Sequence, residues 1–281
     1  MNDNSSRFGK FIELRFQGSG TVAGASLSHY LLEKARVVKQ GPDERNYHVL
    51  NYFIDGLDPD LRTLFGISPS TQFRYVPGDR GTAEENREQW RELQAAFMTV
   101  GFTDIERQDL VSAIAAILLL GNLAFTESQG DAAVVSNTEV LEQCSRILLI
   151  EPAGLAAALT TAEINMRGEL ITKVLNIEKS DLARDATAKA IYGRTFTWLI
   201  RRIDAKLAPA SGAGSTDMPS IGILDIFGFE NFKTNGFDQI CINLANEQVC
   251  VCVCVCVCVC VCVSCVCVCV CLKGGAARGY L

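Results

Sequence analysis

Ile221-Gly-Ile-Leu-Asp-Ile-Phe-Gly-Phe-Glu230 decides how the chain is read. A short apolar run, Ile221–Leu224, ends on an acid at Asp225, and a glycine follows three positions later at Gly228. Short apolar runs bounded by turn signals fit buried strands. An acid at the end of such a strand can join the hydrated shell of a divalent cation. A glycine amide three residues on can approach a phosphate oxygen, because no Cβ stands in the way. The same residues would serve equally in a plain turn, with Asp225 capping the chain reversal.

The opposite end of the chain, Asn2-Asp-Asn-Ser-Ser-Arg-Phe-Gly-Lys10, is dense in small polar donors. Two hydroxyls and an amide in one loop, here Ser5, Ser6 and Asn2, can ligate Mg²⁺, hold phosphate oxygens or position a water. A polar turn or a helix N-cap would use the same residue types. Directly after it, Phe11–Phe16 is aromatic and β-branched with alternation, then come Gly18-Ser19-Gly20 and Thr21–Ala25. That pattern predicts a β-hairpin.

Between these ends the periodicity is helical. His48, Leu50, Tyr52, Phe53 and Leu57 predict a helix that Gly56 and Pro59 end, and Leu61–Gly81, with its prolines and glycines, predicts a loop-rich stretch. Thr82–Gly101 and Thr103–Leu120 predict two helices, each opening on a threonine with Glu85 or Glu106 three residues on, the signature of a capping box. Leu110–Leu123 is short for a membrane span and reads as a buried helix. Asn137–Leu149 predicts a further helix. Leu182–Leu207 predicts the longest, with Tyr192, Phe196, Leu199, Ile203 and Leu207 on one face. Ala208–Pro219 reads as a flexible connector, and Asn235–Gln248 as helix again.

Composition sets bounds on the 281 residues. Lys plus Arg is 26 against 32 Asp plus Glu, a net charge of −6, which argues against a polybasic nucleic-acid binder. A hydrophobic share of 48% excludes a mainly disordered chain. The 13 cysteines are confined almost wholly to Val249–Cys271, a run of 11 Val, 11 Cys and one Ser. Apart from Cys144 and Cys241 the body is thiol-poor, as expected of a cytosolic protein, and the polar first residues carry no secretory leader. The Val-Cys run is open to several readings. Its length fits a membrane span, and its thiols could bind metal, although ligands at period two point to opposite faces of a strand. Its alternation is strand-like, since Val and Cys are poor helix formers. The favoured expectation is that residues 250–281 are not native: a GT dinucleotide repeat translates as Val-Cys, which would make this tail unstructured or mistranslated.

Taken together, the two ends resemble one family. Asn2–Lys10 resembles switch I of the myosin motor domain, and Leu224–Glu230 resembles its switch II. Tyr30–Val38 (YLLEKARVV) and Glu44–His48 (ERNYH) resemble the segments that follow switch I. Lys189–Arg194 (KAIYGR) with Trp198 is similar to the long helix before switch II, and Cys241-Ile-Asn243 with Asn246-Glu247 to the start of the relay helix. Ala116–Leu123 (AILLLGNL) and the residues around Arg167-Gly-Glu169 look most like class III myosins. The resemblance runs over about residues 2–249. It implies an α/β fold: part of a P-loop NTPase-type motor domain, mostly its helical upper subdomain, with the switch I and switch II strands. It implies ATP and Mg²⁺ as cofactors, actin filaments as partner, and a place in the actin cytoskeleton of the cytoplasm. Calmodulin-type light chains would belong only to the lever, which lies outside the matched stretch.

Residue by residue, the resemblance puts Ser6 and Asp225 on the Mg²⁺ shell. Ser5 corresponds to the hydroxyl that positions the attacking water, and Asn2 reaches the nucleotide phosphates. The Gly228 amide lies at the γ-phosphate, and Arg7 pairs with Glu230 when the back of the site closes. Glu169, 16 residues before Asp185, falls where the family needs an acid for actin engagement; an exposed charge beside a turn is the plainer reading. One family element does not occur: no Gly-x-x-x-x-Gly-Lys-[Ser/Thr] string is present among the 281 residues. The expectation is therefore a motor fragment that neither hydrolyses ATP at a useful rate nor moves actin by itself. The alternative is a non-catalytic actin- or partner-binding module.

Overall fold

The computed structural model describes residues 7–41, 44–68, 70–166, 169–209, 218–231 and 235–260, the last eleven of them and Met166 by backbone only. Its strands are β1 (Gly9–Phe16), β2 (Val22–Tyr30), β3 (Phe125–Glu127), β4 (Ala133–Val135), β5 (Thr161–Met166), β6 (Glu169–Val174) and β7 (Ser220–Asp225). The α-helices are α1 (His48–Gly56), α2 (Pro59–Phe65), α3 (Ala83–Val100), α4 (Asp104–Asn122), α5 (Thr138–Leu148), α6 (Pro152–Thr160), α7 (Ile177–Leu207) and α8 (Phe237–Cys260). The chain divides into two compact units, Met1–Glu33 with Thr197–Leu281, and Lys34–Phe196.

The first unit holds an antiparallel sheet in the order β2-β1-β7. The β1–β2 hairpin is the one the sequence predicts, extended to Tyr30. It reverses at Gly20 (φ 83°), with the Gln17 N–H donating to the Thr21 carbonyl at 2.8 Å. β7 pairs with β1 so that Lys10 faces Asp225 and Glu13 faces Gly222. The apolar run ending on Asp225 is therefore a strand, as expected. Near the end of α7, Asp204 Oδ1 accepts the Leu27 N–H at 2.7 Å, satisfying a backbone donor of β2.

The second unit is helical and packs around α4, whose Ala115–Gly121 stretch is buried on every side. Leu50, Phe53, Ile54, Trp90, Leu118, Leu120, Cys144 and Leu159 form the centre of its core. Among the described residues no helix is long and apolar enough to cross a membrane. Helix starts follow the predicted chemistry. The Thr82 hydroxyl accepts the Glu85 N–H, and Thr103 with Glu106 forms a full capping box. Gly101 closes α3 in the left-handed region (φ 85°), where a Cβ would be strained.

The structure corrects the sequence reading in several places. The stretch expected to be loop-rich begins with α2, because Asp58 caps a helix whose first residue is Pro59; a proline at that position starts a helix rather than ending one. α6 likewise opens on Pro152. Two short hairpins, β3–β4 and β5–β6, were not anticipated. The apolar stripe expected on α7 is only partly buried. That helix instead buries Ser180, Arg184 and Ala188, spaced one turn apart. The Val-Cys run is not extended where it is described, since α8 continues through Cys260. Extending an existing helix forms one hydrogen bond per residue without a new nucleus, whereas a lone strand has no ladder partner.

Candidate nucleotide-switch site

Arg7 leads into β1 and Glu230 follows β7, 223 positions apart in sequence. β1 and β7 are neighbours in one sheet, so the approach to one strand and the exit from the other lie at the same end. There, Arg7 Nη1 donates to Glu230 Oε1 at 3.1 Å. Both side chains are largely shielded, 17% and 14% exposed. A charge-assisted bond in such a place is directional and stronger than a neutral one. Glu33 adds a second carboxylate, its Oε2 at 3.6 Å from the same Nη1. The Glu33 N–H also donates to the Arg7 carbonyl at 3.0 Å, so the main chains of these two residues are tied together.

Glu230 is held from its other side by α8. Asn243 accepts the Glu230 N–H at 2.9 Å and donates its Nδ2 to the Glu230 carbonyl at 2.8 Å. Gln239 Nε2 reaches Glu230 Oε2 at 3.4 Å. A single asparagine therefore fixes the loop after β7 to the helix that follows it. The motif Cys241-Ile-Asn243 pointed to this helix, but its spacing gave no sign of the clasp.

Asp225 lies at the tip of β7 and pairs with Lys10 Nζ at 3.1 Å, a consequence of the strand register; both side chains are partly exposed. A Cβ built on Gly228 would meet no heavy atom within 4 Å. The space in front of the Gly228 backbone is therefore open, and the Asp225 carboxylate is accessible. These two residues fit the approach of a hydrated cation and a phosphate. Asn2, Ser5 and Ser6 lie outside the described residues. Among the described residues no group of three or more His, Cys, Asp or Glu could hold a metal ion by itself. A cation at Asp225 would therefore need oxygens from a ligand, water or the polar segment before Arg7.

Glu169 lies elsewhere, in the helical unit. It is the first residue of β6, exposed, and pairs in register with Met166 across the β5–β6 hairpin.

An acid at a strand end, a glycine with open space before it and an arginine bridge to the neighbouring strand make up a loop-built site on a mixed α/β scaffold. The chain belongs to the myosin head (motor domain) family, whose profile matches residues 1–253. It is 41% identical over 262 residues to myosin-IIIa of Homo sapiens, covering 89% of this chain and 16% of that protein. Identity to unconventional myosin-Ic of Gallus gallus is 39% over 255 residues, 88% of this chain and 25% of that protein. Unconventional myosin-VIIb of Mus musculus is 36% identical over 255 residues, 88% of this chain and 12% of that protein. The chain thus spans 12–25% of the length of these curated relatives.

Proposed function

We propose that this chain is the switch-bearing part of an actin-based motor that couples ATP binding and hydrolysis to movement along actin filaments in the cytoskeleton. The observation that carries this reading is the Arg7–Glu230 bridge, which joins the segment resembling switch I to the segment resembling switch II. In this reading Ser6 and Asp225 hold Mg²⁺ through oxygen and water, Asn2 reaches the phosphates, and Ser5 orients the attacking water. Gly228 offers its amide to the terminal phosphate, and Arg7 with Glu230 closes the back of the pocket. Bound Mg²⁺ would supply charge neutralisation for phosphoryl transfer to water. The protein's share is positioning and electrostatics, with no covalent intermediate. The Asn243 clasp gives the loop after β7 a direct mechanical connection to α8, so displacement of Glu230 would pull on that helix.

The helical unit, Lys34–Phe196, corresponds in this reading to the upper actin-facing subdomain. Glu169 at the tip of the β5–β6 hairpin lies at the filament surface. Its carboxylate already provides the acidic charge, with no phosphorylation needed. Light chains of the calmodulin type would bind a lever outside these residues.

The chain itself is expected to be catalytically silent, since the Gly-x-x-x-x-Gly-Lys-[Ser/Thr] cradle does not occur in it. ATP turnover by the purified chain, with and without actin filaments, tests this. Background turnover in both is the expected result, and actin-stimulated turnover would overturn it. Co-sedimentation with actin separates the two functional readings. Binding that survives complete absence of nucleotide affinity would favour the non-catalytic module.

A further inference from the structure

The carboxylate of Glu230 is held at both of its oxygens. Oε1 accepts from Arg7 Nη1 at 3.1 Å, and Oε2 accepts from Gln239 Nε2 at 3.4 Å. The same Gln239 amide turns its oxygen the other way, where it accepts the Gly236 N–H at 2.8 Å. α8 begins at Phe237, so Gly236 is its N-cap. Gln239 then stands at N3, the position whose side chain folds back onto the N-cap N–H in a capping box. Glycine has no side chain with which to make the reciprocal half of that box. A chain of hydrogen bonds therefore runs from Arg7 through Glu230 and Gln239 to Gly236, from the approach to β1 to the start of α8.

We propose that Gln239 is a positioning residue for the Arg7–Glu230 bridge: it aims the Glu230 carboxylate at Arg7 and ties that aim to the capped first turn of α8. This rests on reading the bridge as the closing contact of the site. The residue type fits both tasks. A backbone N–H only donates and a carboxylate only accepts, so the two partners demand an acceptor and a donor from one side chain, and glutamine supplies both. Glutamate is equally at home at N3 and suits the helix dipole better, but it would set a second carboxylate against Glu230. Asn243 does different work, gripping the backbone of Glu230 rather than its carboxylate. The relay runs through the two oxygens of one group and holds alongside the further contacts that Arg7 and Glu230 make. At 3.4 Å the Gln239–Glu230 bond is the longest of the three, so the chain parts there first when the loop after β7 moves.

The test exchanges the two side chains in the full 281-residue chain, with urea unfolding as the readout. Glu230→Gln leaves one oxygen for two donors. Gln239→Glu sets two carboxylates together while keeping an acceptor for the Gly236 N–H. Each is expected to raise the unfolding constant by at least about threefold. In the combined variant the amide at position 230 accepts from Arg7 and donates to the carboxylate at position 239, which still accepts the Gly236 N–H. Its effect should lie at least about threefold below the product of the two single effects. Single effects that simply multiply would overturn the proposal. So would a Gln239→Glu chain as stable as the parent, the result expected of a residue that caps the helix and nothing more. A second measurement does not need reversible unfolding: hydrogen exchange of the Ile240 N–H, which bonds the Gly236 carbonyl across the first turn. Glu230→Gln should speed it by at least about threefold, and the combined variant should bring it back toward the parent rate. A rate indifferent to residue 230 would contradict the proposal. Arg7→Glu with Glu230→Arg, in the same assay, reads the bridge itself. Absence of recovery in that pair would sink the functional reading, whereas recovery there with multiplying effects here would strike out Gln239 alone.

Discussion

Asn243 shows how much one side chain can organise. It satisfies both backbone groups of Glu230, and so it fixes the direction in which that carboxylate points toward Arg7. Asn243→Ala leaves a part-buried N–H and carbonyl without their partner, which costs on the order of 1–3 kcal/mol. Urea unfolding should show that loss, and Asn243→Asp, which can still accept the N–H, should recover part of it. His48 gives a second residue-scale expectation. Burial holds its value below the ordinary 6.5, and the nearby Arg45 and Arg36 lower it further. The unfolded chain therefore takes up the proton at higher pH than the folded one. Stability is then fully present above about pH 6.5 and declines as pH falls through that value toward the folded-state value. Melting temperature measured from pH 8 down to pH 5.5 should fall, and His48→Gln should flatten that fall.

At the scale of elements, the chain announces its helices chiefly through their caps. Thr82 with Glu85 and Thr103 with Glu106 mark the starts of α3 and α4, and both helices begin there. Thr103→Ala removes one half of the capping box and should cost about 1 kcal/mol, read as a lower urea midpoint with an unchanged slope. Where local chemistry has two meanings, the sequence is ambiguous. Pro59 ends one helix but also begins α2, and only the Asp58 side chain accepting the Asp60 N–H distinguishes the two. Thr161–Met166 and Glu169–Val174 are short, and β6 is exposed along its whole length, so neither carries the half-buried alternation that betrays a strand. The buried face of α7 escapes prediction because its central residue is Arg184. That guanidinium is fully buried, donating to the Leu123 carbonyl at 3.0 Å and to Asp185 Oδ1 at 2.9 Å. Hydropathy assigns arginine to solvent, and only its partners, the adjacent Asp185 carboxylate and the distant Leu123 carbonyl, make burial tolerable. In the site itself, Asp225, Gly228, Arg7 and Glu230 are legible as a motif. Glu33, Lys10 and Asn243 fall within the matched segments, but their contacts with those residues become visible only once register and packing are known.

Across the whole molecule, 223 positions separate the two residues on which the functional reading depends. Their meeting follows from topology: β1 and β7 are antiparallel neighbours, so the approach to the first and the exit from the second share one end of the sheet. The decisive measurement is a charge-swap cycle read by urea unfolding of Arg7→Glu, Glu230→Arg and the two combined. Each single reversal should destabilise the chain by about 1–3 kcal/mol, by placing like charges together in a shielded position. The double reversal should recover at least half of the summed loss. Strictly additive losses, with no recovery on swapping, would mean that the two ends do not close on one another, and the proposed switch would fail with them.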